Sequence, residues 1–170
     1  MMTIGEISME LITFNIKFFS ELGTLPLYQI VKLRQDVFII EQACLYSDID
    51  NLDQKALHAT LISEEDDQLV AYCRVLPAGL SYPEVSIGRV VVAENARQKG
   101  FASKLMKRVL HFIQQEMQAP IVRISAQSHL QPFYETFNFK TSSAPYDEDG
   151  IEHVEMLLTN DVQVFNTFSD

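Results

Sequence analysis

Residues 11–18 alternate apolar Ile12, Phe14, Ile16 and Phe18 with polar Thr13, Asn15 and Lys17, the period of two that marks a half-buried strand. The period then changes. Leu27, Ile30, Val31, Arg34, Val37 and Phe38 recur at helical spacing behind Thr24, a capping residue, and Pro26 in the first turn, so a helix is predicted to about Glu41. An acidic, irregular segment runs from Gln42 to Lys55. Two strands are predicted near 57–63 and 68–77, joined by the polar turn Glu64-Glu-Asp-Asp67, and a third over 84–92 after Pro77, Gly79 and Pro83. A helix from about Gln98 to Gln115 buries Leu105, Met106, Val109, Leu110 and Ile113 on one stripe. Pro120 precedes the strand 121–126, and Ser128 is placed to cap a short helix with Pro132, Phe133 and Tyr134. Closing strands near 137–143 and 152–158 flank the turn Asp147-Glu-Asp-Gly150. The order β-α-β-β-β-α-β-α-β-β is a mixed α/β layer architecture. The 170 residues suit a single domain with its core at about 11–158 and a weakly patterned tail at 160–170.

One junction carries candidate chemistry. The strand ending Val90-Val91-Val92 runs into a loop with Arg97-Gln98-Lys99-Gly100-Phe101-Ala102 and then into the second long helix. Small residues there let a ligand approach the backbone, and the unpaired N–H groups of a first helical turn suit an anion. The loop is therefore a phosphate cradle in outline. It is not a Gly-x-x-x-x-Gly-Lys-Ser/Thr loop, and no Gly-x-Gly-x-x-Gly follows a first strand.

Composition narrows the partners. A net charge of −10 argues against nucleic acid, whose binders present a basic face. Charge is also unevenly placed: six of the thirteen Lys and Arg lie between Arg97 and Arg123, and residues 141–170 hold seven acidic residues and no Lys or Arg. A basic patch on an acidic body suits a small polyanionic ligand together with a cationic second substrate, although a solvated helix face produces the same clustering. No apolar run is long enough to span a bilayer, and the N-terminal residues 1–10 lack the basic start of a secretion signal. Cys44 and Cys73 have neither CxxC nor zinc-like spacing, which reads as two reduced thiols in a cytoplasmic protein. Asp48-x-Asp50-x-x-Asp53 lacks the Gly and the distal Glu of a calcium loop, position twelve being Ala59, so no metal is expected.

The cradle and the phrase Phe133-Tyr-Glu-Thr-Phe-Asn-Phe139 together resemble the two core motifs of the GCN5-related N-acetyltransferase (GNAT) superfamily. Leu33-Arg-Gln-Asp-Val-Phe-Ile-Ile-Glu-Gln42, Tyr46-Ser-Asp-Ile-Asp50, Ile87-Gly-Arg-Val90, Ala126-Gln-Ser-His-Leu130 and Glu148-Asp-Gly-Ile-Glu-His153 are similar to phrases of its ElaA-type subfamily, so the likeness spans roughly residues 11 to 158. Asn138 stands where the superfamily usually has Gly, and Asn tolerates the left-handed backbone. Ala102 is within the superfamily's range.

The resemblance implies a splayed mixed sheet with helices on both faces and an acetyl-CoA-dependent N-acetyltransferase. In that reading the N–H groups of Gln98, Lys99, Gly100, Phe101 and Ala102, with the charge of Arg97 or Lys99, hold the pyrophosphate of the donor. Backbone around Val90, Val91 and Val92 pairs with the pantetheine arm and polarises the thioester carbonyl, and Phe133 borders the same site. Tyr134 is the implied general acid for the departing thiolate; a core-filling tyrosine is the alternative. The acceptor is a primary amine on a small molecule or a peptide, attacking directly. The strand 84–92 carries no carboxylate in its middle, so the base is open among Glu41, His58, His129, Glu152, His153 and water. Asp48, Asp50 and Asp53, with Glu41, either attract the cationic amine or are ordinary loop and capping residues. Two other functions stay open, a CoA-binding module without turnover and an acyl-homoserine-lactone synthase type. The oligomeric state is open as well, a homodimer included.

Overall fold

The computed structural model describes residues 11–159; the N-terminal residues 1–10 and the tail 160–170, on which two expectations above fall, lie outside the described residues. The elements are β1 (Ile12–Phe18), α1 (Thr24–Arg34), β2 (Leu57–Ser63), β3 (Leu69–Leu76), β4 (Val85–Val92), α2 (Phe101–Phe112), β5 (Ile121–Gln127), α3 (Gln131–Glu135), β6 (Lys140–Thr141), β7 (Tyr146–Glu148) and β8 (Ile151–Thr159). They form one mixed sheet in the order β1-β2-β3-β4-β5-β8-β6, with β7 also on β8. Among the described residues only β4 and β5 pair in parallel, and the other ladders are antiparallel.

Strand β3 shows why helices cover both faces. All eight of its residues are buried and divide between two cores, by alternation from Ala71 onward, with Leu69 set off by the register shift opposite Leu61 and Ile62. Ala71, Cys73 and Val75 join the α2 side with Leu105, Met106, Val109, Leu110 and Ile113, each of these five at most 1% exposed. Leu69 and Tyr72 join the α1 side with Ile30, Val37 and Val91. Each large apolar side chain so buried contributes about 1.5–3 kcal/mol.

Local boundaries differ from the periodicity where backbone geometry intervenes. Gly23 occupies the cap position of α1 and makes Thr24 its first residue, with no side-chain cap bond. The helical path then continues to Glu41 in wide π turns. Helix α2 starts at Phe101 because Gln98 and Gly100 adopt φ of +63° and +78°. Ser128 does not cap α3: it opens a separate turn, and its buried Oγ has no hydrogen-bond partner among the described residues. The segment expected as one strand over 137–143 folds Phe137 and Phe139 into the core, with Asn138 at φ +66°, and shortens the strand itself to Lys140–Thr141. A further strand, β7, appears because Asp149 and Gly150, at φ +53° and +84°, make the tight turn that folds it onto β8.

Candidate active site

The β4–β5 ladder holds only the pairs Val85↔Val122 and Ser86↔Arg123, after which the strands part. A β-bulge accompanies the parting. Tyr72 opposes Val91 and Arg74 opposes Gly88, so Arg89 and Val90 together face Cys73 alone. Arg89 accepts φ +54° to do so, and such a bulge bends its strand. Past Ser86, the edge of β4 that faces β5 has no ladder partner among the described residues.

The gap is a cavity of about 360 Å³, within the range of small-molecule sites. It is lined by Ser86 to Val90 of β4, Ser125 to Gln127 of β5 and Tyr134 of α3, with Tyr46, Asp50 and Leu52 from the segment after α1 and Glu148, Asp149, Ile151 and His153 of the hairpin. Cys44 ties these walls together by donating its thiol to the Asp149 carbonyl at 3.4 Å. Both cysteines are buried and unpaired with each other.

At the far end of the open β4 edge lies the turn into α2. Gln98, Lys99 and Gly100 are exposed there, and the helix start has no side-chain cap. A Cβ built on Gly100 would meet nothing within 4 Å, so the space in front of this left-handed residue is open. Phe101 turns its ring into the core, which leaves its N–H as the group it offers. Arg97 is engaged elsewhere: it donates to both oxygens of Glu41 at 2.8 and 2.7 Å and to the Val92 carbonyl at 3.3 Å. Val90 lines the cleft, whereas the Val91 side chain packs into the α1-side core and Val92 lies against the α2 side.

Tyr134 is 6% exposed and borders the cleft. Its ring is edge-on to Phe133 at 5.0 Å and to Phe139 at 6.1 Å, and Phe133 in turn packs on Phe137. Burial, with Cys73 nearby, pushes its phenol well above the usual range, so it holds its proton at neutral pH. The hydroxyl makes no hydrogen bond to the described residues.

The aspartates of the acidic segment are neither an open acceptor wall nor solvated loop residues. Arg34, fully buried, donates to Asp48 Oδ2 at 2.9 Å, to the Asp48 carbonyl at 2.8 Å and to Asp53 Oδ1 at 2.8 Å. Arg74 grips both oxygens of Asp50 at 2.7 and 2.6 Å and reaches Asp53 Oδ1 at 2.9 Å. Arg89, on the bulge, donates to Asp48 Oδ1 at 2.6 Å. Three guanidinium groups thus answer three carboxylates, and the network pins the segment after α1 to β4. Burial works to raise the carboxyl of Asp50, but the bonds and charges of Arg74, the Leu52 N–H and Arg89 win and hold it at about 2. Asp53 is lowered for the same reason by Arg34 and Arg74. The sequence signal for this network is a charge on each apolar pattern: Arg34 falls on the α1 stripe and Arg74 within an otherwise uncharged strand.

Of the candidate bases, His153 is the one at the cleft. Glu41 is held by Arg97, whose hydrogen bond keeps its carboxyl low. His58 is buried on the α1 side between the Tyr72 hydroxyl and the Asp53 carbonyl, each at 2.9 Å, and burial lowers its imidazole. His129 sits in the exposed turn before α3, and Glu152 points to solvent opposite Asp147.

Comparison with known proteins bears on this geometry. A family described as "Acetyltransferase (GNAT) domain" matches residues 28–160. A UPF0039 protein of Schizosaccharomyces pombe is 40% identical over 146 residues, covering 85% of this chain and 95% of that one. Protein ElaA of Escherichia coli is 38% identical over 137 residues, 81% of this chain and 90% of its own. The crystal structure of E. coli ElaA superposes with a TM-score of 0.80 at 36% identity, covering 86% of this chain and 99% of that one. The crystal structure of an acyl-CoA N-acyltransferase from Pseudomonas aeruginosa does so with a TM-score of 0.80 at 34% identity and the same coverage. The acyl-homoserine lactone synthase BjaI, at a TM-score of 0.75 and 14% identity over 92% of this chain and 87% of its own, shares the fold alone.

Proposed function

The chain belongs to the acetyltransferase (GNAT) family, and from that premise we propose that it transfers an acetyl group from acetyl-CoA to a primary amine, by direct attack while both substrates are bound. The observation that carries this reading is the unpaired edge of β4, which runs from the cavity beside Tyr134 to the open space before Gly100. That path has the parts an acyl-CoA needs in order. The backbone turn of residues 98–102, at the positive end of α2 where no side chain caps the helix start, suits the pyrophosphate. The backbone of Val90 and Val92 offers an extended edge for the amide-bearing pantetheine arm, and an N–H there polarises the thioester carbonyl and meets the oxyanion. Arg97, bound to Glu41, braces the loop rather than the ligand.

The amine nitrogen attacks the carbonyl carbon, the C–S bond breaks, and Tyr134 gives its proton to the departing sulfur. A phenol at the cleft, protonated at neutral pH and with no other hydrogen-bond partner among the described residues, has its proton to give. The N-acyltransferase activity that the P. aeruginosa structure is described by is the same class of reaction.

The test mixes the purified chain with acetyl-CoA and a panel of amines and follows thiol release. Tyr134→Phe is expected to slow turnover by up to about a hundredfold, since a thiolate leaves fairly readily unaided. Gly100→Glu adds a carboxylate to the cradle and about 1–2 kcal/mol of left-handed strain, and is expected to weaken CoA binding about tenfold or more. Thiol release that ignores the amine and both substitutions refutes the reading. Stabilisation by CoA with no turnover points instead to a binding module.

A further inference from the structure

We propose that His153 is the general base that takes the proton of the acceptor ammonium, an assignment that rests on the reading of the cleft as the place where an amine is acylated. His153 lies on β8 between Gln127 of β5 and Tyr146 of β7, its partners in the two flanking ladders. Its ring is stacked on Tyr146, with centroids 6.2 Å apart and planes at 28°, and the side chain is 13% exposed at the cleft wall. A ring held by two strands and an aromatic neighbour offers a fixed direction for proton transfer.

One hydrogen bond decides which nitrogen is available. Nδ1 stands 2.8 Å from the carbonyl oxygen of Ile151. A carbonyl has no proton to give, so Nδ1 carries the hydrogen and the lone pair of the neutral ring belongs to Nε2. Nε2 makes no hydrogen bond to the described residues, and it is not among their buried, unsatisfied atoms, so it is open to solvent on a residue that lines the cavity.

The surrounding charges suit an ammonium. On the hairpin, Glu148 Oε2 lies 3.9 Å from Nδ1, too far for a hydrogen bond, and accepts one from Ser125 Oγ at 3.1 Å. Asp149, the next residue, also lines the cavity. Glu155, on the strand of His153 itself, is occupied by Tyr82, Tyr146 and Arg123. Across the cleft the positive charges of Arg74 and Arg89 are already answered by Asp50, Asp53 and Asp48, with Tyr46 stacked under Arg89 and Cys44 bonded to the hairpin. Tyr134, protonated, closes the donor side. The Glu148 carboxylate, paired with no Lys or Arg among the described residues, therefore faces the imidazolium formed after transfer.

The protons balance as follows. The ammonium loses one to Nε2, and the neutral nitrogen forms the N–C bond to the thioester carbon. The resulting adduct nitrogen loses a second, which restores the proton that Tyr134 hands to the thiolate as the C–S bond breaks. His153 returns its proton to water, so one proton leaves per turnover of an ammonium acceptor.

Two measurements test this. The imidazole nitrogens of His153 in the full-length wild-type chain, observed by nitrogen NMR at neutral pH, are expected to show the Nδ1–H tautomer when the ring is uncharged. The variant H153Q is expected to keep its melting temperature and its CoA affinity within twofold. Its kcat/KM for the amine should fall at least a hundredfold near neutral pH and lose the acid limb of the wild-type profile, rising instead with the fraction of unprotonated amine. An Nε2–H tautomer overturns the assignment, as does an H153Q that keeps the wild-type rate or the same acid limb while E148Q loses it. If H153Q does not fold, H153N and the wild-type tautomer decide the matter. A wild type that releases no thiol with any amine overturns the acetyltransferase reading and this one with it; an active wild type beside an unaffected H153Q overturns the base alone.

Discussion

Replacing Asp53 by Asn removes one negative charge from a buried site and almost nothing else. Asp53 Oδ1 accepts from both Arg34 Nη1 and Arg74 Nη1, and an amide oxygen in the same place still accepts both. What is lost is the charge balance: two guanidinium groups, with side chains 1% and 4% exposed, then share the carboxylates of Asp48 and Asp50 with the partly exposed Arg89. Breaking a buried pair from one side costs about 3–5 kcal/mol, and the retained hydrogen bonds place Asp53→Asn at the lower end, about 3 kcal/mol. For a chain of this length each kcal/mol moves the midpoint by about 2–4 °C, so calorimetry at pH 7 is expected to show a Tm lower by about 6–12 °C. The exposed turn variant Asp66→Asn serves as the control and should shift by less than about 0.5 kcal/mol. Adding Arg34→Leu to Asp53→Asn removes an uncompensated cation, so the double variant is expected to lose less than the sum of the two singles. An Asp53→Asn protein that melts within about 1 °C of wild type, or strict additivity in the double variant, would refute the charge-balance argument.

The same network has an acid signature: the carboxyl of Asp50 is near 2 when folded and about 3.9 when unfolded, so its contribution is complete above pH 4 and is lost as pH falls toward 2, a decline that denaturant melts at stepped pH will trace. His58 acts in a higher window: its imidazole is lowered in the folded state from about 6.5, so the unfolded chain takes up the proton first and stability falls as pH drops below 6.5; His58→Gln should flatten the decline, and an unchanged slope counts against it. Glu41→Gln breaks a pair whose side chains are 36% and 45% exposed, so stability should change by less than about 1 kcal/mol in the same melts. Leu105→Ala, at a position with 0% exposure in the α2 stripe, should cost about 2–5 kcal/mol by denaturant titration.

Periodicity reached the elements whose burial is one-sided. The α2 stripe of Leu105, Met106, Val109, Leu110 and Ile113 is the core stripe, and Gly100 announces its own left-handed turn because few other residues tolerate one. Asn138 shows the same tolerance at φ +66° in the turn where the superfamily usually has Gly. Arg34 and Arg74 stand out on their apolar patterns, but their pairing was out of reach because the partners in the network are 14 to 41 residues apart in the chain, and nothing local distinguishes a paired Asp48 from a solvated one. Strand β7 is three residues long and owes its existence to pairing with β8, too short to print a period. The placement of His153 and Tyr134 on one cleft depends on how β4 parts from β5, and that parting goes with one residue of surplus length rather than with any residue type.

The surplus can be followed in the side chains. Before the bulge Val85 and Ile87 face α2; beyond it Val90 and Val92 do, so parity changes from odd to even across Gly88 and Arg89. The opening is thus written into the chain as an integer. A protein shortened by one residue at Arg89 would keep Tyr134, Gly100 and His153, yet its fourth strand could run in phase with the fifth along its length and zip the groove shut. Substitution scanning would pass over such a determinant, because no single side chain holds it; deletion scanning would find it at once.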